Sequence, residues 1–155
     1  MPQDSAELAR IARALEEARS LLSREVDRLA REYGTVTGGE TVAGSPKQTL
    51  SGITGLVNAL GSTLQWIVLA AGYSALGMDE RADHAYAMAR EHPVNFPGAA
   101  DRMARPLGEA TVRALELIRD LGFFDREITV AIEVALAAPQ ATYPPADWNA
   151  YYAQH

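Results

Sequence analysis

Gln48–Met78 reads QTLSGITGLVNALGSTLQWIVLAAGYSALGM and contains no Asp, Glu, Lys or Arg. A stretch of this length without charge must be screened from water, because its apolar surface is too large to leave solvated. Ile53, Leu56, Val57, Leu60, Leu64, Ile67, Val68 and Ala71 keep a helical period, while Thr54, Asn58, Ser62 and Gln65 gather on another flank. Gly52, Gly55, Ala59 and Gly61 add small surfaces where a second helix can approach closely. The segment therefore predicts the buried central helix of a bundle. Its length exceeds the ~20 residues that span hydrocarbon. The amides, hydroxyls and glycines within it, and the lack of a flanking basic cluster, argue against a membrane span.

Upstream, no Gly or Pro interrupts Asp4 to Tyr33, and Leu8, Ile11, Leu15, Ala18, Leu22, Val26, Leu29 and Tyr33 follow one another at intervals of three or four. That is the narrow seam of a coiled-coil-type helix, slipping once where Glu25 holds a position that a strict heptad gives to an apolar residue. Opposite charges at helical spacing, such as Glu16 with Arg19 and Asp27 with Arg31, keep the outer face wet. Such a helix is about 45 Å long, against a diameter of about 30 Å for a small domain. It is expected either to bend over the body or to reach a neighbour.

Gly34 ends this helix, and 34–47 reads as a flexible loop rich in Gly, Thr and Ser. Its GETVAGSPKQT portion, Gly39 to Thr49, is not a phosphate cradle: Ser45 and Pro46 separate Gly44 from Lys47, and proline removes an amide donor. After the uncharged run, Asp79 is placed to cap a helix from Glu80 to Arg90, which the segment HPVNFPG (92–98) terminates. Helical pattern resumes near Ala99, with Pro106 in the first turn of its main part, and continues through Val112, Leu115, Ile118 and Leu121 to Gly122. Asp125 caps a last helix carrying Ile128, Ile132, Val134 and Leu136. Residues 138–155 form a tail rich in aromatics: Tyr143, Trp148, Tyr151 and Tyr152. The expectation is an all-α fold, a helical bundle of about five helices in one domain over 1–155, with 48–137 as its helical core.

The bulk properties agree. A chain of 155 residues with 48% hydrophobic and 22% charged residues suits a single core. The absence of cysteine removes disulfides, thiolate zinc sites and cysteine nucleophiles together. Formal charge is −6, and the arginines are interleaved with acids, so no basic stripe is available for nucleic acid. The first residues lack a basic start followed by an apolar run, so the cytoplasm is the expected location.

Candidate chemistry is sparse. Glu80, His84 and Glu91 share a helical face and are weak candidates for metal ligands, but no Glu-x-x-His spacing accompanies them, and neither metal nor cofactor is expected. Glu133, inside ITVAIEVALAA, is expected to be partly buried and paired with Arg113 or Arg119. With Asn58 and Gln65 it forms a candidate polar pocket. His84, His92 and His155 stand in no recognisable triad pattern. The sequence thus favours a non-enzymatic helical assembly protein that self-associates or docks a protein partner. If one bundle buries the uncharged helix completely, the stripe on the first helix needs a matching stripe elsewhere, and a homodimer supplies one by symmetry. The expected interface is Leu8, Ile11, Leu15, Leu22, Val26, Leu29 and Tyr33, with Trp148, Tyr151 and Tyr152 as aromatic anchors. The alternative is a small-molecule- or metal-binding bundle enzyme with a pocket near Asn58, Gln65, His84 and Glu133.

Overall fold

A computed structural model describes residues 4–33, 46–91, 99, 103 and 107–137. Five α-helices make up most of these residues, and no strand occurs among them: α1 (Ser5–Tyr33), α2 (Pro46–Ala75), α3 (Asp79–Glu91), α4 (Glu109–Leu121) and α5 (Arg126–Ala137). The protein is an all-α bundle.

Local chemistry sets the helix ends. Asp4 is the N-cap of α1: its Oδ1 accepts from the Ala6 amide at 2.9 Å and its carbonyl from the Leu8 amide at 2.9 Å. The helix α2 opens on Pro46, where a missing amide proton does no harm. The loop expected over 34–47 therefore gives up its last two residues to the helix, and 34–45 lie outside the described residues. At the other end Gly77 sits at φ +72°, with its amide on the Ser74 carbonyl at 3.0 Å and the Met78 amide on the Tyr73 carbonyl at 2.9 Å. This paired closure satisfies the last carbonyls of α2 and turns the chain at once into α3.

Two expected starts are corrected. The Met78 carbonyl accepts the first bond of α3, from Ala82 at 3.0 Å, so Met78 is the cap and Asp79 already lies in the first turn. There Asp79 and Glu80 face the positive end of the helix dipole. The helix α4 begins at Glu109 rather than near Pro106, with Gly108 as its N-cap at φ −63°, ψ 154°. Asp125 does occupy the cap position of α5, its carbonyl accepting from Ile128 and Thr129 at 3.1 Å.

The principal contacts run from α3 to α2 to α1 to α4 to α5. Leu8, Ile11, Leu15, Ala18 and Leu22 are at most 2% exposed and Leu29 is buried, all within one core that includes Ile53, Leu56, Leu60 and Ile67 of α2 and Leu115 and Ile118 of α4. Val26 packs partly buried against the same core. The matching stripe that the sequence analysis sought in a second copy is supplied by α2 and α4 of the same chain. Leu8, Ile11, Leu15, Leu22 and Leu29 are core residues, not available interface residues. The side chain of Tyr33, and Trp148, Tyr151 and Tyr152, lie outside the described residues.

The heptad slip has a physical cause. Glu25 is buried, and its carboxylate takes Arg28 Nη2 on Oε1 at 2.5 Å. Its other neighbour is Gly108, where a Cβ would stand 2.6 Å from Oε1. At this level the seam meets the start of α4 instead of apolar surface, and a carboxylate beside a helix N-terminus is favourable. Any larger residue at 108 would force this carboxylate to shift.

Smaller contacts close the bundle. Ala82, Ala85 and Ala89 give α3 a small buried face that lets it lie close on α2, and Ile128, Ile132 and Ala135 are the buried residues of α5. Arg90, at the end of α3, donates to the Phe123 carbonyl at 3.0 Å and lies 3.3 Å from Asp125. Tyr86 meets Phe123 edge-on at 5.4 Å, so α3 is tied to the corner between α4 and α5.

Candidate functional site

The uncharged helix is only half covered. One side of α2 buries Ile53, Leu56, Leu60, Thr63, Ile67 and Ala70. The other leaves Ser51, Thr54, Asn58, Gln65, Leu69 and Gly72 exposed, at spacings that keep them on one face, and Leu76 continues the line in the turn just beyond the helix. That stripe changes character along its length, from hydroxyls and amides to an apolar patch in which Val68 is 67% exposed, Leu69 42% and Leu76 74%. Gly72 sits among these three residues, and a Cβ built on it meets nothing within 4 Å. Glycine in a helix interior costs roughly 1 kcal/mol relative to alanine, and nothing within the described chain accounts for that cost at this position. Complete burial of α2 was the expectation. Because α1 and α3 cover two flanks of α2, the third remains open.

Beside this stripe, α2 and α3 form a groove of about 360 Å³ lined by Trp66, Leu69, Tyr73, Glu80, Arg81, His84 and Ala85. Trp66, Leu69 and Tyr73 lie along one flank of α2 at steps of three and four. His84 presents its ring edge to Trp66, with centroids 6.3 Å apart at 90°, and the Arg81 guanidinium lies 5.9 Å from the Tyr73 ring centre. Trp66 and Tyr73 were not singled out in the sequence. Their spacing from Leu69 was legible, but which face of α2 would meet α3 was not.

The predicted polar pocket does not form. Asn58 and Gln65 are exposed on α2, and Glu133 is exposed on α5, whose main contact is with α4. The expected burial of Glu133 fails because Ile128, Ile132 and Ala135 form the inward face and Glu133 falls on the opposite one beside Val134, itself 60% exposed. Its charge is felt by Arg119. That guanidinium is held above its usual range first by its hydrogen bond to Asp120, with smaller contributions from Glu116 and Glu133. Of the weak metal candidates, Glu80 and His84 line the groove, and Glu91 is at the far end of α3. Among the described residues no three His, Asp or Glu side chains gather as a metal set.

A second groove, about 420 Å³, lies between α1 and α4 and is lined by Leu21, Glu25, Arg28, Gly108, Glu109, Ala110 and Arg113. Its central carboxylate, Glu25, is already committed to Arg28. By length and composition alone Lys47–Ala75 is long and apolar enough to cross a membrane, an 18-residue window within it reaching a mean hydropathy of 1.4. Midway along it, however, Arg19 of α1 donates to the Val57 carbonyl at 3.3 Å and packs over Gly61, where a Cβ would lie 3.2 Å from Nη2.

These features define the protein as an all-α bundle, with five helices among the described residues and one open face on α2 that carries no charge from Gln48 onward. The chain matches no protein-family model, no curated protein and no solved structure.

Proposed function

We propose that the chain is a non-enzymatic helical assembly protein that pairs with a second copy of itself through the open stripe of α2. The observation that carries this is the patch of Val68, Leu69 and Leu76 around Gly72, exposed apolar side chains clustered at the C-terminal end of α2 and the turn that follows it, where no charged residue occurs. Scattered apolar residues on a surface are ordinary, whereas a contiguous patch marks an interaction site.

A second copy fits this face for reasons of charge and shape. At a formal −6 the chains repel one another over most of their surface. The α2 stripe offers contact in which no like charges meet, and a two-fold pairs it with itself. The notch at Gly72 lets backbones approach closely, and Asn58 and Gln65 carry amides that donate and accept equally well across such an axis. A membrane is less well suited, since α1 would carry Arg19 and its neighbouring acids Glu16 and Glu17 to the level of the helix midpoint.

The test is the mass of the particle in solution, by sedimentation velocity at micromolar concentration. A dimer is expected whose population rises with added salt as the net repulsion is screened. Val68→Glu and Leu76→Glu should each yield a monomer with unchanged helicity, whose thermal midpoint no longer depends on protein concentration. A strict monomer for the natural sequence across the micromolar range, with or without salt, would overturn the proposal.

A further inference from the structure

We infer that the groove between α2 and α3 binds a free amino acid with an aromatic or large aliphatic side chain. This site adjoins the stripe proposed for pairing and shares Leu69 with it. Three observations converge on the ligand's chemistry. The volume of about 360 Å³ is at the small end of ligand pockets, suited to a compact molecule rather than a chain of residues. One wall is apolar and flat, built from the indole of Trp66, the side chain of Leu69 and the ring of Tyr73. The other wall presents opposite charges from neighbouring positions, Glu80 and Arg81, with the imidazole of His84 one turn beyond Glu80.

A ligand with only a carboxylate would meet Arg81 favourably and Glu80 unfavourably, and a ligand with only an amine would do the reverse. An α-amino acid carries both charges on adjacent atoms, so its ammonium faces Glu80 while its carboxylate meets Arg81. The guanidinium is held against the Tyr73 ring, 5.9 Å from its centre, which limits the freedom it must surrender on binding. Its N–H edge is suited to a planar carboxylate. The ligand's side chain then lies on Trp66 and Leu69, and the edge-on His84 ring, 6.3 Å from the indole, bounds that end of the groove.

The probe is L-phenylalanine, which does not interfere with tryptophan emission. The chain has two tryptophans, so a Trp148→Phe variant leaves Trp66 as the sole reporter. Titration is expected to change Trp66 emission saturably, and saturation-transfer NMR should show contact to the phenylalanine ring. Phenylacetate and phenethylamine, which lack one charge each, should bind at least about ten-fold more weakly. Glu80→Gln and Arg81→Met should each weaken phenylalanine by a similar factor while leaving the oligomeric state and helicity as they are. A titration with neither an emission change nor an NMR contact would overturn the proposal. So would equal binding of phenylacetate and phenylalanine, or indifference to both substitutions. Because Leu69 belongs to both surfaces, the titrations are made in the Val68→Glu background, so that a failure to bind phenylalanine and a failure to dimerise are read separately.

Discussion

Leu15→Ala should lower stability by an amount that does not depend on protein concentration. Leu15 is fully buried at 0% exposure in the core that α1 shares with α2 and α4. Truncating a buried leucine costs about 2–5 kcal/mol, the loss of transfer free energy plus the cavity left behind. At about 3 kcal/mol, and about 2–4 °C per kcal/mol for a domain of this size, the thermal midpoint falls by about 6–12 °C. The assay is thermal unfolding followed by circular dichroism, made in the Val68→Glu background so that pairing through α2 makes no contribution. Val134→Ser in the same background, at a position 60% exposed, is the comparison and should stay within about 0.5 kcal/mol of that background. If the α1 stripe were completed by another chain, the Leu15→Ala effect would grow on dilution. A loss below about 2 °C, or one that changes across a hundred-fold range of concentration, would refute the intramolecular core.

Further outcomes follow from the contacts. Gly108→Ala drives a Cβ to 2.6 Å from Glu25 Oε1 and should cost about 1–3 kcal/mol by overpacking. In a Glu25→Ala background the same change should fall below about 1 kcal/mol, the ordinary preference for glycine over alanine at an N-cap, and chemical denaturation of the four variants would expose that coupling. Additive losses would refute the contact. The Arg10 hydrogen bond holds the Glu7 carboxyl below the usual glutamate range, although both side chains are well exposed. A carboxyl depressed in the folded state stabilises above its unfolded pKa and loses that contribution as pH falls through its folded value. Glu7→Gln should therefore diverge from the parent only above the acid range, by a small margin that salt removes, as a pH series of melting curves would show.

Much of the fold was legible because helix formation is local. The absence of Gly and Pro from 5–33, the three- and four-residue steps of Leu8 to Leu29, and the cap at Asp125 all act within a turn or two of the chain. The starts of α3 and α4 were missed by one and a few residues, respectively, because a backbone carbonyl at Met78 and an extended glycine at Gly108 serve as caps without a side chain to announce them. Periodicity also placed Thr54, Asn58, Ser62 and Gln65 on one flank of α2, where Thr54, Asn58 and Gln65 are exposed and Ser62 is half-buried.

Which stripe finds a partner inside the chain was a matter for tertiary structure. Sequence determined that α1 carries a narrow apolar seam and that α2 carries no charge from Gln48 onward; hydrophobic spacing and composition require nothing more. Packing then assigned the burial in the opposite sense to expectation. The α1 seam is enclosed by α2 and α4, and the uncharged α2 is left with an open face. The physical reason is that burial is a relation between two surfaces, whereas a sequence records each surface separately. Glu25 makes the same point at the scale of one residue, since its place in the seam makes sense only once Gly108 and the start of α4 are brought against it.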